Sequence, residues 1–450
     1  MKKYGYVHFV GIGGISMSGI ARVLLHNGTK VSGSDSGSGS VLDELRSMGA
    51  VVYNGHSASN IDNQDLVVYT AAVKDDNPEL IEARARGIET VDRATILGWI
   101  MQDYKNAVSV AGTHGKTTTT SMMAYIMVEA MLDPTVMVGG HLDILGGNFR
   151  LGKSDYFVTE SCEYCRSFLK FFPQIAMILN VEEDHLDYYK DINDIIDAFS
   201  DFAALVPSDG WVIVPAEDEN ALKSAEKATS GVLTFGFEKG DFRPADITFN
   251  RFGFAEFDVY KGDEKLASIS LNVAGKHNVL NAIACVAAAY AMGIDMKYVE
   301  AGLNKFTGTK RRFEKKGYCN GALVIDDYAH HPTELQTTLD SVSRMDHNKV
   351  WFVFQPHTYT RTHSLFDEFV EVLSNAENLI ISDIYAAREK DTGLVSSKQL
   401  ADAIEGAVYL DSFEKIEDYI MGNVSEGDII LTVGAGNVVT IGENLVKKSV

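Results

Sequence analysis

Six consecutive residues, Gly112-Thr113-His114-Gly115-Lys116-Thr117, combine what phosphate chemistry requires. Glycines let the backbone curl until its N–H groups face phosphate oxygens, a lysine reaches the terminal phosphates, and the next hydroxyl suits Mg²⁺. Lys116 and Thr117 fit the last two tasks, and Thr118 extends the hydroxyl run. The spacing is a variant: Val110 stands where the common pattern has its first glycine, and Gly112 lies closer to the lysine. An apolar run from Ala107 to Val110 precedes the loop and a helix-like segment from Ser121 to Ala130 follows it, so the stretch reads as strand, glycine loop, helix. A nucleoside triphosphate is the expected ligand.

A second glycine turn opens the chain. Tyr6 to Val10 reads as a strand, Gly11-Ile12-Gly13-Gly14-Ile15-Ser16 as a turn into an apolar-periodic helix reaching about His26, and Thr29 to Ser34 as a strand ending at Asp35. Such glycines admit a pyrophosphate to a helix N-terminus, and an acid after the second strand can meet a ribose. Ser16 replaces the usual third glycine. An NAD-dependent oxidoreductase would use this turn but leave Gly112 to Thr117 without a task. A nucleotide switch would use the latter, yet the Asn/Thr-Lys-x-Asp guanine signature does not occur.

These turns need strands to carry them, and the apolar runs supply three groups. In the first, runs at Ala50 to Tyr53 and Leu66 to Thr70 and a helix from Pro78 to Arg86 continue the alternation to about Tyr104. In the second, Tyr156 to Thr159 ends at Glu160, and Ile175 to Leu179 ends at Asn180-Val181-Glu182-Glu183-Asp184-His185, with Asp187 just beyond. Polar groups at the carboxyl ends of strands are where open α/β sheets bind ligands. Gly231 to Val273 alternates in the manner of antiparallel strands. Gly275-Lys276-His277-Asn278 then starts an Ala-rich buried helix, on which Asn278 and Asn281 share a face. In the third, short strands at Leu323 to Ile325, Val350 to Phe354, Leu379 to Ile381 and Ile429 to Val433 run into polar or glycine-bearing loops. The expected architecture is α/β in three domains: residues 1–104, Rossmann-like; 105–309, a P-loop α/β ATPase-type domain with antiparallel strands; and 310–450, again Rossmann-like.

Bulk properties narrow the class. A net charge of −22, from 62 acidic against 40 basic side chains, argues against general affinity for nucleic acid or an anionic membrane. Four cysteines, of which only Cys162 and Cys165 are close, make no disulfide framework and fit a reducing cytoplasm. Met1-Lys2-Lys3 looks like the start of an export signal, but His8 and the glycines from Gly11 break the apolar run that should follow. Neither export nor membrane insertion is expected.

Taken together, Gly112 to Thr117, Asn180 to His185, Gly275 to Asn281, Arg311-Arg312-Phe313-Glu314 and Asp327-Tyr328-Ala329-His330-His331-Pro332-Thr333 make the chain resemble the Mur ligase family, in order and over essentially its whole length. The opening Gly11-Ile12-Gly13-Gly14 and the stretch Gln355 to Arg361 are most similar to members that join L-alanine to the lactyl carboxylate of UDP-N-acetylmuramate, in peptidoglycan precursor synthesis. The resemblance implies ATP as co-substrate and an acyl-phosphate intermediate. Addition of a preformed peptide to the same sugar is the close alternative. The resemblance also implies two Mg²⁺ or Mn²⁺ ions faced by Thr117, Glu160 and His185. The family usually has Glu-Ala-Asp-Glu where this chain has Glu160-Ser161-Cys162-Glu163, so Glu163 rivals Glu160. By the same resemblance Lys116 and the loop hold the ATP phosphates, Asn278 and Asn281 contact adenine, and Arg312 and Asp326 belong to the ATP site. The front domain takes the UDP end, with Gly13, Gly14 and Ser16 on the pyrophosphate and Asp35, Thr70 and His56 as further candidates. Arg361, His357, His330 and Tyr328 would line the amino-acid site, with Arg361 on the carboxylate. Thr358 stands where relatives usually have arginine. A monomer or homodimer is expected.

Overall fold

The apolar runs of the first hundred residues become a five-stranded parallel sheet in the order β3-β2-β1-β4-β5, with β1 Tyr6–Val10, β2 Lys30–Asp35, β3 Val51–Asn54, β4 Leu66–Tyr69 and β5 Glu89–Asp92. Strand order reverses at β1, which pairs with β2 on one side and β4 on the other. The glycine turn therefore leaves the sheet at its switch point, where ligand crevices form in such sheets. This computed structural model describes residues 4–70, 73–186, 188–387, 389–391 and 393–449. The charged start Met1-Lys2-Lys3 and Asp187 lie outside the described residues.

The chain divides into two compact units. One comprises Met1–Glu182, Ile192–Asp241 and Ala284–Gly302, and so holds the front sheet together with a second set of strands. These are β6 Asn106–Ala111, β7 Thr135–Leu142, β8 Gly147–Arg150, β9 Tyr156–Glu160, β10 Ile175–Ile178, β11 Trp211–Pro215 and β12 Gly231–Phe235, in the order β12-β11-β10-β6-β9-β7-β8. All pair in parallel except β8, which lies antiparallel to β7. The run after Gly112 is helical from Lys116 to Glu129, five residues earlier than the apolar pattern places its start. Four successive threonines, poor helix formers by propensity, hide that beginning, but Thr117, Thr119 and Thr120 are buried and packing overrides the weak preference.

The other unit comprises Glu183–Asp191, Phe242–Ile283 and Leu303–Val450. The antiparallel strands are β13 Phe242–Phe249, β14 Phe254–Lys261 and β15 Glu264–Ala274, so the antiparallel pattern begins at Phe242; Gly231–Phe235 is parallel to β11 instead. A further sheet has the order β16-β17-β21-β18-β19-β20, with β16 Glu314–Cys319, β17 Ala322–Asp327, β18 Val350–Phe354, β19 Leu379–Ile381, β20 Val408–Tyr409 and β21 Ile429–Val433. Only the β16–β17 hairpin is antiparallel. Its two-residue turn, Asn320-Gly321, has φ of +50° and +83°, the left-handed pair that matches strand twist. Apolar residues on both faces of this sheet are buried, among them Phe352, Phe354 and Leu431 on one and Val324, Val353 and Ile430 on the other, as parallel strands covered by helices require.

Candidate active site

The phosphate loop is built by close approach. Gly112 has φ of +138°, and a Cβ there would come within 3.0 Å of Leu179 Cβ and 3.1 Å of its backbone nitrogen. Gly115, at φ +83°, ends the loop and caps the helix in a left-handed conformation. Asn180 braces the turn from the neighbouring strand: its Oδ1 accepts from His114 N at 2.7 Å and its Nδ2 donates to His114 O at 3.1 Å. Thr113 Oγ1 accepts from Glu182 N at 2.9 Å, and Val181 N donates to Asp218 Oδ2 at 2.9 Å. Asp218 is a supporting residue that motif spacing gave no means of finding, because its contribution is tertiary.

Lys116 Nζ lies in a cage of oxygens. It donates to Gly112 O (2.5 Å) and Thr113 O (3.0 Å) and pairs with both carboxylate oxygens of Glu163 at 3.1 and 3.0 Å. Glu163 is only 3 % exposed, so the pair is largely out of water. Burial, with the Glu163 charge beside it, pushes the Cys162 thiol up to about 11, which keeps it protonated and unreactive. Glu160, at the carboxyl end of β9, accepts from Gly139 N at 2.5 Å. Thr117 and Glu160 thus belong to the same unit and offer hard oxygen donors, a set that suits Mg²⁺.

The front turn has a different brace. Both oxygens of Asp35 accept backbone amides, Oδ2 from Gly13 N (2.8 Å) and Oδ1 from Gly37 N (2.9 Å). Gly11 N and Ile12 N both donate to Ser34 O, at 2.8 and 3.0 Å. Gly14 caps the helix Ile15–His26 with no side-chain bond, Ser16 Oγ accepts from Arg93 at 2.8 Å, and a Cβ on Gly11 would stand 3.2 Å from Thr70 Cγ2.

The remaining candidates belong to the second unit. His185 has φ of +56° and its backbone N–H donates to Asp184 Oδ1 at 2.7 Å. Asn278 and Asn281, both buried, share a helix face and touch: Asn281 Nδ2 donates to Asn278 Oδ1 at 3.1 Å, while Asn278 Nδ2 donates to Ala274 O at 2.7 Å. Asp326 is fully buried, pairing with Arg311 Nε at 3.2 Å and accepting from Thr432 at 2.8 Å; burial raises its pKa despite these partners. Those contacts make it a brace under Arg311. The guanidinium groups of Arg311 and Arg312 lie 4.8 and 5.1 Å from the Tyr328 ring centroid. The Tyr328 ring meets His330 edge-on at 5.5 Å, His330 lies 5.6 Å from His357, and His357 stacks on Tyr385 at 5.7 Å.

Arg361 completes this group. It pairs with Asp184 at 3.1 Å, reaches His357 Nδ1 at 3.3 Å, and keeps its buried Nε without a hydrogen-bond partner among the described residues. Burial alone would raise the Asp184 pKa, but Arg361, His185 and His331 hold it well below the usual carboxylate range. Burial brings both His330 and His357 down to about 4, so both imidazoles are neutral near pH 7. Their tautomers differ: His330 Nδ1 donates to Tyr328 O at 2.8 Å, whereas His357 Nδ1 faces the Arg361 donor. Thr358, at φ +66°, turns the chain into the short helix Tyr359–Ser364 that carries Arg361.

A glycine loop between parallel strand and helix, with a caged lysine and a following buried threonine, defines a P-loop α/β nucleotide-binding enzyme. Three family profiles match in succession: the Mur ligase family catalytic domain over residues 6–105, the Mur ligase middle domain over 110–289, and the Mur ligase glutamate ligase domain over 311–436. The chain belongs to the Mur ligase family, and is an ATP-dependent ligase. It is 52 % identical over 446 residues to the UDP-N-acetylmuramate–L-alanine ligase of Clostridium acetobutylicum, covering 98 % of this chain and 97 % of that one. It is 52 % identical over 451 residues to that of Clostridium tetani, with 99 % of each chain covered. Among solved structures it superposes on a UDP-N-acetylmuramate–alanine ligase from Thermotoga maritima with a TM-score of 0.82 at 30 % identity over 99 % of both chains. A murein peptide ligase from Psychrobacter arcticus gives 0.71 at 27 % identity over 98 % of both. No helix among the described residues is long and apolar enough to cross a membrane.

Proposed function

We propose that this enzyme joins L-alanine to the lactyl carboxylate of UDP-N-acetylmuramate, with release of ADP and phosphate, as a cytoplasmic step of peptidoglycan precursor synthesis. The observation that carries the chemistry is the cage around Lys116, in which two loop carbonyls and the Glu163 carboxylate accept from Nζ and fix one cation in the glycine loop. The substrate assignment is supported by likeness to ligases of that name along nearly the full length of both chains. An acid and an amine do not condense in neutral water, so the carboxylate first attacks the γ-phosphate of ATP and becomes an acyl phosphate. The amine of L-alanine then attacks that carbonyl and phosphate leaves. Lys116 neutralises charge that spreads over the transferred phosphoryl oxygens, the main help available in this reaction.

Residues 1–104 take the UDP end, with the pyrophosphate over Gly13, Gly14 and Ser16; residues 105–309 take ATP, with Asn278 and Asn281 on adenine; residues 310–450 take the amino acid. Arg312 serves the ATP phosphates. Arg361 holds the alanine carboxylate through its unpartnered Nε, and Tyr328, His330 and His357 wall the pocket. Thr117, Glu160 and His185 would hold the metal; Mg²⁺ bound there would supply Lewis acidity at the phosphates, and the two oxygen donors fit it. Glu160→Gln should raise the Mg²⁺ concentration for half-maximal activity roughly tenfold or more. Phosphate release with L-alanine, glycine, L-serine or a tripeptide as acceptor tests the reading. L-alanine should give the highest kcat/KM, and preference for the tripeptide would replace this reading with the peptide-adding one.

A further inference from the structure

The front sheet contains a buried polar cluster to which the proposed chemistry assigns no task. Glu79, near the start of the helix Pro78–Ala85, is fully buried. Its Oε2 accepts from Ser34 Oγ at 2.6 Å and faces His56 Nδ1 at 3.1 Å; its Oε1 accepts from Asn60 Nδ2 at 2.6 Å and lies 3.4 Å from His8 Nε2. Burial would raise this carboxyl, but the bonds from His8, Ser34 and Asn60 outweigh it and bring it down to about 2, so it is an anion. An uncompensated buried carboxylate is costly, and hydrogen bonds from Ser34, His56 and Asn60, three separate segments, with His8 Nε2 close by, compensate this one.

Two of those donors lead to the ligand end of the sheet. Ser34 is the residue whose carbonyl holds Gly11 N and Ile12 N, so the carboxylate that fixes its hydroxyl also anchors the residue supporting the glycine turn. His56 follows Gly55, whose N–H donates to Asp35 O at 2.7 Å, at the carboxyl edge beside Asp35. Its side chain is 28 % exposed while that of Glu79 is 0 %. A ring nitrogen lying 3.1 Å from a carboxylate oxygen and 2.8 Å from Ser34 Oγ must carry the proton, because a lone pair there would face the anion. With Nδ1 so occupied, Nε2 is the ring nitrogen left to meet a ligand, with no protein partner among the described residues. Asp35 beside it already accepts one backbone amide on each oxygen, from Gly13 and Gly37.

We propose that Glu79 is a positioning residue for the sugar-nucleotide site, locking His56 in the tautomer whose Nε2 accepts a hydrogen bond from a uridine N–H or hydroxyl. This rests on the reading that the front sheet binds the UDP end. Calorimetry of UDP-N-acetylmuramate and ATP binding to the wild type, Glu79→Gln, His56→Asn and the double variant tests it. Each single change should weaken UDP-sugar binding about tenfold, the double variant no more than the worse single, and ATP binding should not change. Losses that multiply to about a hundredfold in the double variant, or unchanged affinity in either single variant, would overturn the proposal. His56→Asn keeps a donor toward Glu79 but has no Nε2, so it remains informative if Glu79→Gln does not fold. Nitrogen-15 shifts of His56 in the wild type should report Nδ1–H, and an Nε2–H tautomer would overturn the proposal independently. A wild type that binds ATP but no UDP-sugar would overturn the underlying reading instead.

Discussion

The molecule uses the strand, glycine turn, helix device twice within one unit, and the two copies differ in what the glycine that caps the helix is for. Gly115 caps the helix Lys116–Glu129 with φ of +83°, whereas Gly14 caps the helix Ile15–His26 with φ of −60° and ψ of 146°, a conformation open to any residue. Both turns contain a left-handed glycine, Gly11 at φ +84° and Gly115 at +83°, but only in the phosphate loop is it the helix cap; at the front turn the cap, Gly14, leaves room above a helix N-terminus. The charges differ in the same sense. Lys116 supplies a cation inside the first loop, while the second is tied down by an anion, Asp35, whose oxygens are taken by amides. One loop is equipped to meet changing charge during phosphoryl transfer, and the other to hold a diphosphate that does not react.

The largest expected effect removes that distinction. Lys116→Ala should lose roughly two to three decades in kcat, the scale for one preorganised charge, while KM for UDP-N-acetylmuramate stays within about twofold. The variant removes the cation beside the buried Glu163 carboxylate, so it should also have a lower melting temperature. Retained UDP-sugar binding shows that the fold survives. Unchanged turnover would take Lys116 out of the mechanism and make the two loops functionally alike.

How much of this was legible in the sequence follows from where each signal resides. Both glycine turns, with Lys116 and Asp35, were readable because their determinants are consecutive or end on an apolar run. So were the strands Val350–Phe354, Leu379–Ile381 and Ile429–Val433, whose bounds the apolar runs match. The strands Thr135–Leu142 and Trp211–Pro215 were not read, although Trp211–Pro215 is almost wholly buried. Partners were illegible for a more general reason. Asp184 under Arg361, Asp218 under Val181 and Arg311 under Asp326 are ordinary charged residues whose meaning depends on a neighbour 15 to 177 positions away. Asn278 and Asn281 were readable as a same-face pair, but not their mutual hydrogen bond.

The next effect in size concerns the anion. Asp35→Ala frees the Gly13 and Gly37 amides and loosens the front turn; two lost charge-assisted bonds scale to about 1.5–3 kcal/mol each, shared between stability and binding. KM for UDP-N-acetylmuramate should rise about tenfold or more, with KM for ATP unchanged. A parallel rise in both would mean that Asp35 supports the unit as a whole and not one turn.

The smallest effects separate the two capping glycines directly. Gly115→Ala places a Cβ in a left-handed conformation and should cost about 1–2 kcal/mol of stability, read as a lower melting temperature. Gly14→Ala meets nothing nearer than Gly11 O at 3.4 Å, so its melting temperature should stay within the range of a neutral surface change, about 0.5 kcal/mol. Its methyl group nevertheless occupies the space above the helix N-terminus. KM for the UDP-sugar should therefore rise severalfold while the fold is untouched. A variant that loses stability but not affinity would show that Gly14 serves the backbone after all, and the contrast between the two turns would disappear.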